Sequence, residues 1–107
     1  MIKSTDTVYI SGPMSDYPDN NRRSFEAAEA YLKQTFGCKV LNPARHPDGL
    51  SYCQYMALAM QDIDAADVFV LLHGFEGSPG ATIERAVARH EGKLVLKNVV
   101  PALRRQS

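Results

Sequence analysis

A short stretch in the last third of the chain combines anion-binding features with a carboxylate that can react. Ser78 stands where it would cap a helix, and Pro79 occupies the first helical position, so a helix is predicted to begin there. The free amides at such an end, with the positive end of the helix dipole, suit a phosphate or a carboxylate. Glu84 shares a face with Gly80, and its side chain is expected to lean over the space that this glycine leaves open. The alternatives are a simple cap for Ser78 and a solvated helix residue for Glu84.

A loop near the start of the chain is the second stretch with unusual residues. A short β-prone run, Val8–Ser11, contains Tyr9 and stops at Gly12 and Pro13, with Met14 following in the loop. In parallel sheets, ligands bind outside the carboxyl ends of the strands, so this loop is expected to face a ligand. The alternatives are a turn that merely ends the strand and, for Tyr9, ordinary core packing.

Three aspartates near the end of the second predicted helix form a further acidic group. Asp62, Asp64 and Asp67 either decorate and terminate that helix or accept hydrogen bonds from sugar hydroxyls near the strand ends. The sequence pattern leaves both interpretations open.

The elements that would position these residues alternate between strand and helix. Continuous apolar runs predict strands, and apolar residues at helical spacing predict helices. Ser51 and Gln54 form a capping-box pattern, and the helix that follows is expected to bury an apolar face comprising Tyr52, Tyr55, Met56, Ala59, Met60 and Ile63. The predicted strands are 8–11, 38–41, 68–72 and 94–96. The predicted helices are 24–36, a second that opens at Ser51 and continues at least to Ile63, and a third over about 79–90.

This alternating order predicts an α/β fold. We expect a three-layer, doubly wound (Rossmann- or flavodoxin-like) parallel sheet of about four strands with helices on both faces. The 107 residues are enough for one core, so residues 1–107 are interpreted as a single domain in which 97–107 form a tail or an oligomer arm.

Charge and composition narrow the classes of partner. Lys plus Arg and Asp plus Glu each number 12, so no net basic field favours duplex nucleic acid or a membrane surface. No apolar run is long enough to span a bilayer, and no secretory signal is evident, which predicts a cytoplasmic protein. The histidines and cysteines lack the spacing of metal ligands, so neither a metal nor a cofactor is expected.

Taken together, these residues resemble a known family. The chain is similar to the small phage and bacterial relatives of the nucleoside 2-deoxyribosyltransferases that form domain of unknown function family 4406. The resemblance covers nearly the whole chain, and its motifs are specific only jointly. They are Tyr9–Met14, Pro18, Asn21, Arg22, Phe25, Asn42–Ala44, Tyr55, Met56, Asp67, Gly74–Glu76, Ser78, Gly80, Ala81 and Glu84.

The resemblance implies chemistry at the N-glycosidic bond of a 2'-deoxynucleoside or its 5'-monophosphate. Glu84 matches a glutamate that attacks the anomeric carbon of the deoxyribose, and Tyr9 matches the tyrosine that orients it. The covalent intermediate would be released by a second base or by water, as in retaining glycosidases.

The resemblance also implies roles for the binding residues. Segment 78–81, with Ser78, Gly80 and Ala81, would contact the sugar or its 5'-phosphate. Segment 11–14, with Ser11, Gly12, Pro13 and Met14, would line the base and sugar side. Family members are oligomers, so Val99–Pro101 are expected to pack on a second copy. Arg22 is a further candidate for phosphate contact, because a guanidinium matches phosphate geometry, although an exposed loop charge is the alternative.

One departure from the family pattern leaves other functions open. Relatives carry an aspartate eight residues before the position of Asp67, where this chain has Ala59, and Asp62 or Asp64 would have to substitute. The alternative to an enzyme is therefore a non-catalytic nucleotide-binding or sensing module of the same fold. A structural or assembly protein without a ligand is a third interpretation.

Overall fold

The structure, a computed structural model, describes residues 1–14 and 17–101. Within these residues, strands and helices alternate along the chain, and short 3-10 segments occur at 18–21, 43–45 and 75–77. In chain order the main elements are β1 (Thr7–Ser11), α1 (Arg22–Phe36), β2 (Lys39–Leu41), α2 (Tyr52–Ala65), β3 (Val68–Leu71), α3 (Pro79–His90) and β4 (Leu94–Lys97).

The four described strands form one parallel sheet in the order β2-β1-β3-β4. All four residues of β3 are buried, as the continuous apolar run predicts for a central strand. The chain first moves outward from β1 to β2 and then returns to β3 on the other side of β1. The strand order therefore reverses between β1 and β3, whose carboxyl ends form the crevice in which ligands bind in such sheets.

Helices cover both faces of the sheet, which confirms the predicted fold class. On one face α1 contributes Phe25, Ala28 and Leu32 to a core cluster with alternate residues of β1 and β3. On the other face α2 and α3 contribute a second cluster that includes Ile63 and Ala88. The two central strands therefore supply side chains to both cores, which is the three-layer arrangement of a doubly wound sheet.

Local signals in the sequence account for several element boundaries. Ser51 and Gln54 form a complete capping box at the start of α2, with each side chain bonded to the other's backbone amide. Helix α1 ends at Gly37, which adopts a left-handed conformation with φ of 65°. Helix α3 spans Pro79–His90, the range that the sequence predicts. These boundaries depend on neighbouring residues alone.

The start of α1 differs from the prediction. The helix begins at Arg22 rather than Ser24, after Asp19, Asn20 and Asn21 have adopted left-handed backbone conformations. Asp and Asn tolerate this region better than most residues, because their short polar side chains bond locally. Asn21 stands at the N-cap position, but its side chain donates to the Pro13 carbonyl and makes no cap.

The end of the chain also differs from the prediction. Lys97 belongs to β4, so the strand extends into the segment interpreted as a tail. Val100 is only 8% exposed and joins the core cluster on the α1 face, with Val99 packed against it. These valines therefore pack on their own domain. Residues 102–107 of the predicted oligomer arm lie outside the described residues.

Candidate functional site

A carboxylate of α3 meets the end of β1. Ser11 is the last residue of β1 and is fully buried, and its hydroxyl Oγ donates a hydrogen bond of 2.7 Å to Oε1 of Glu84. Glu84 lies in the second turn of α3 and is half-buried. The contact joins residues 73 positions apart and directs the Glu84 carboxylate towards the crevice at the strand-order reversal.

The surroundings of Glu84 favour its neutral form. Burial raises the pKa of the Glu84 carboxyl above its ordinary value, and the negative charge of Asp62 adds to that effect. The Ser11 hydroxyl, which donates a hydrogen bond to the carboxylate, acts in the opposite direction, and the nearby Tyr9 hydroxyl adds a smaller effect of the same sign. A partly desolvated carboxylate with few hydrogen-bond donors retains more of its nucleophilicity than a fully solvated one.

Tyr9 presents an unsatisfied hydroxyl beside this carboxylate. Its ring stacks on Phe69 of β3, with ring centroids 5.5 Å apart and the planes inclined by 26°. The Tyr9 hydroxyl is buried and has no hydrogen-bond partner among the described residues, although Glu84 lies close enough to influence it. Burial, followed by the charges of Glu84 and Asp62, raises the pKa of Tyr9 well above its usual value. Buried hydroxyls without a partner are rare in folded proteins, so this one marks the surroundings of Glu84 as a candidate site.

A second carboxylate approaches the same site from α2. Asp62 lies near enough to Glu84 and Tyr9 to affect the pKa of both. Its Oδ2 is 3.0 Å from Nε2 of His46, and both side chains are mostly buried. The sequence singles out Asp62 but not His46, since nothing in the spacing of these two residues indicates that they meet. Their pairing depends on how the loop after β2 packs against α2.

The amino end of α3 has the predicted cap. The Ser78 hydroxyl accepts a hydrogen bond of 3.2 Å from the Ala81 amide, and Pro79 follows at the first helical position. A Cβ atom built on Gly80 would lie 3.8 Å from the hydroxyl oxygen of Tyr52. The prediction that Tyr52 belongs to the apolar core is therefore wrong. Its side chain is 61% exposed and extends from the first turn of α2 towards the start of α3.

The loop after β1 packs closely against the end of β3. A Cβ atom on Gly12 would lie 2.8 Å from Cβ of Leu72, so only glycine allows this approach without a shift. The Pro13 carbonyl accepts a hydrogen bond of 2.8 Å from the Asn21 side chain. Met14 packs against the core cluster on the α1 face, whereas Glu84 lies on the α3 side. Within this predicted set, Ser11 is the residue whose side chain contacts the Glu84 carboxylate.

Arg22 is engaged elsewhere. Its guanidinium donates to the Ala44 carbonyl at 3.1 Å and pairs with Asp48 at 3.2 Å, and it lies 3.5 Å from Asp19. These contacts tie the start of α1 to the loop after β2. The structure therefore does not bring Arg22 into contact with Glu84.

A cavity of about 300 Å³ opens on the α1 side of the same crevice. Its walls come from the loops after β1 and β3 and from the first turns of α1, with Val100 and Pro101 at its edge. Glu84 is not one of its lining residues, which include Tyr17, Asn21, Ser24, Leu72, His73 and Gly74.

Two further classes of feature are absent from the part of the chain that the structure describes. No group of three or more His, Cys, Asp or Glu side chains is arranged to hold a metal ion. No helix there is both long and apolar enough to cross a membrane.

With this geometry in view, comparison with known proteins identifies the family. The model of a family described as domain of unknown function (DUF4406) matches residues 6–97. This range includes every element of the fold, together with Tyr9, Ser11, Asp62 and Glu84. The chain belongs to the DUF4406 family. No curated protein matches the sequence of this DUF4406 chain.

Solved structures provide a second comparison. The DUF4406 chain is similar to the structure of a 2-desoxiribosyltransferase from Leishmania mexicana, with a TM-score of 0.67 and 22% sequence identity. The match covers 86% of this chain and 63% of that one, so the DUF4406 chain spans less than two thirds of that protein's length. At this level of identity the match shows a shared fold, the doubly wound sheet described above.

Proposed function

We propose that this DUF4406 protein cleaves the N-glycosidic bond of a 2'-deoxynucleoside or its 5'-monophosphate. The observation that carries the proposal is the half-buried Glu84 carboxylate, which accepts the 2.7 Å hydrogen bond from Ser11 in the crevice between β1 and β3. The fold shared with a 2-desoxiribosyltransferase supports the same chemistry. The substrate would then lie across the carboxyl ends of the two central strands.

In the proposed reaction, one oxygen of Glu84 attacks C1' of the deoxyribose. The C1'–N bond breaks, and the base leaves with the bonding electrons and takes up a proton. Water or a second base then attacks C1' and gives up a proton, which balances the one taken by the first base, and the C1'–O bond to Glu84 breaks and frees the carboxylate. Attack by water gives hydrolysis, and attack by a base gives transfer. The hydrogen bond from Ser11 would hold the second carboxylate oxygen and so orient the attacking one.

Neighbouring groups support the proposed roles. The unpaired Tyr9 hydroxyl would donate to the Glu84 carboxylate and orient it. Asp62, close to Glu84, would exchange a proton with the leaving base. The amide-rich start of α3, with Ser78 and Gly80, is suited to the sugar hydroxyls or a 5'-phosphate. Tyr52, beside Gly80, is positioned to cover the ligand.

The test is to incubate the protein with a panel of 2'-deoxynucleosides and 5'-monophosphates and to measure released base by chromatography. A second free base in half of the reactions distinguishes transfer from hydrolysis. We expect Glu84→Gln to lower kcat by at least about a hundredfold, because it removes the nucleophile and keeps the shape. Glu91→Gln, an exposed position at the end of the same helix, is the matched control and should retain activity.

A second candidate function is a nucleotide-binding module without catalysis. Ala59 is 3% exposed and belongs to the core cluster of α2 and α3, so the position at which the resemblance places an aspartate carries no polar group. Saturable binding of a deoxynucleotide, with neither base release nor base exchange in the panel, would favour this module over the enzyme.

A further inference from the structure

A strongly basic cleft of about 410 Å³ lies between α3 and β4, at the edge of the sheet. Helix α3 supplies one wall, and β4 with the residue just before it supplies the other. The lining residues are Leu71, Arg85, Arg89, Lys93, Val95 and Lys97. Four of these six side chains are cationic and none is acidic.

This concentration of charge is unusual for a chain whose cations and anions balance. The cleft holds four of the 12 lysines and arginines, whereas the formal net charge of the whole chain is zero. Among residues 1–14 and 17–101, none of these four cations forms a salt bridge. Like charges on facing walls repel each other, and a bound anion removes that repulsion.

The spacing of the cations matches a ligand with several anionic groups. Arg85 and Arg89 are four residues apart on α3, which separates their Cα atoms by about 6 Å along the helix. Lys93 and Lys97 span about 13 Å along the strand. Lys93 is anchored by a hydrogen bond of 3.0 Å from its Nζ to the Asp64 carbonyl, so it closes one end of the cleft with a fixed charge.

The floor of the cleft is apolar. Val95 packs with the core on the α3 side, and Leu71 pairs in register with both Ser11 and Lys97. Neighbouring strands lie about 4.8 Å apart, so the cleft begins one strand away from the Ser11–Glu84 contact. Glu84 does not line the cleft, which makes it a separate site.

We propose that this cleft binds a compact polyanion carrying two or more phosphate groups, such as a nucleoside polyphosphate or an inorganic polyphosphate. Arginine on one wall supplies planar forks of donors that match phosphate oxygens, and lysine on the other supplies point charges. The volume suits a small molecule, and the four cations form a short cluster rather than the long stripe that tracks a nucleic-acid backbone. Binding at this site does not depend on the proposed glycosidic chemistry.

The experiment is a calorimetric titration of the full chain with tripolyphosphate, a deoxynucleoside triphosphate and orthophosphate at low ionic strength. We expect tripolyphosphate to bind saturably at one site per chain, and to bind at least about tenfold more tightly than orthophosphate. The affinity should fall as the salt concentration rises, because dissolved ions screen the attraction between the cations and the phosphates. Equal affinities for the two polyphosphates point to the phosphate chain alone as ligand, and tighter binding of the nucleotide points to contact with the apolar floor.

Two double variants with the same loss of charge localise the site. Arg85→Gln with Arg89→Gln should weaken tripolyphosphate binding at least about tenfold, since both arginine forks are lost. Arg23→Gln with Lys39→Gln removes two exposed cations elsewhere and should change the affinity less than about twofold. If the first double variant does not fold, as judged by circular dichroism, Lys97→Gln at the exposed end of β4 replaces it, and a weakening of at least about threefold is expected.

Several outcomes would overturn the proposal. These are no saturable binding, equal weakening in both double variants, orthophosphate binding as tightly as tripolyphosphate, and displacement of tripolyphosphate by a single-stranded oligonucleotide at lower concentration. Glu84→Gln should keep the full affinity for tripolyphosphate. Loss of base release and loss of tripolyphosphate binding are therefore separate results, and each tests only one of the two proposals.

Discussion

The surroundings of Glu84 and Tyr9, at the crevice between β1 and β3, raise the free energy of the folded chain. A buried hydroxyl without a partner and a carboxyl whose pKa is raised by burial both destabilise the folded chain relative to satisfied groups. Such unsatisfied groups are concentrated at functional sites, where the ligand completes their interactions. The cost at Glu84 depends on pH and can therefore be measured.

Glu84→Gln should stabilise the chain at neutral pH. Because the folded-state pKa of Glu84 is raised by burial, the folded state binds more protons than the unfolded state, and stability falls as pH rises above the ordinary carboxyl range. Glutamine keeps an acceptor for Ser11 and cannot ionise. We expect a higher Tm for the variant at pH 7 and a difference that shrinks below about pH 4, where glutamate is protonated in both states. A lower Tm for the variant at pH 7 would contradict this account of burial.

At the scale of elements, Glu29 connects α1 to the segment after β2. Its carboxylate accepts hydrogen bonds from Arg45 at 2.7 Å, Lys33 at 2.8 Å and Asn42 at 3.0 Å. Glu29 is only 6% exposed, whereas its charged partners Arg45 and Lys33 reach it from the surface with side chains that are 64% and 53% exposed. The Arg45 guanidinium is the main cause that lowers the Glu29 pKa to about 2, against the opposing effect of burial. This network fixes the loop that carries His46 towards Asp62.

Glu29→Gln should have the opposite sign and destabilise the chain at neutral pH. A carboxyl with a lowered folded-state pKa contributes stability above its ordinary value near 4.5 and loses that contribution as pH falls towards about 2. We expect the variant to lose about 2 kcal/mol of unfolding free energy at pH 7, measured by urea denaturation. The difference should shrink as pH falls below 4.5 and vanish only below about pH 2.

The control for this measurement is Glu26→Gln, on the exposed side of the same helix. It should change the unfolding free energy by less than about 0.5 kcal/mol. If both variants lost the same unfolding free energy, the effect would come from the charge on the helix and not from the hydrogen bonds of Glu29.

At the scale of the whole molecule, the two cores depend on the same pair of central strands. Leu32 of α1 packs on one face of β1 and β3, and Ile63 of α2 packs on the other. A change in either core therefore acts on the strands whose ends form the candidate site. The solved chain that is similar to this one is longer, and the 63% of it that matches corresponds to this doubly wound sheet. Assembly of the chain into an oligomer stays a prediction.

Leu32→Ala and Ile63→Ala should each lower the unfolding free energy by about 2 to 5 kcal/mol. Because β1 and β3 contribute to both cores, each variant should unfold in a single transition, with circular dichroism and tyrosine fluorescence giving the same midpoint. Ile83→Ala is the matched control, because it makes the same truncation as Ile63→Ala at a position that is 46% exposed. It should lower the unfolding free energy by less than about 1 kcal/mol. Separate transitions for the two probes would show that the two layers unfold independently.

Much of the fold follows from local patterns in the sequence. The apolar run of β3, the capping box of α2 and the Ser78–Pro79 start of α3 predict their elements, because each depends on residues within a turn or two. Alternation of strand and helix then predicts the doubly wound sheet. The sequence also indicates that the start of α3 and the end of β1 belong to one site.

The contacts within that site are decided by the tertiary structure. Ser11 meets Glu84 only because β1 and β3 are neighbours and α3 packs back across them. His46 meets Asp62, and Tyr52 turns away from the core towards Gly80, through packing between elements that no short sequence window contains. The four cations of the basic cleft all lie within residues 85–97, but only the packing of α3 against β4 places them on facing walls. Local preferences specify the elements, whereas contacts between residues distant in sequence require the assembled core to bring them together.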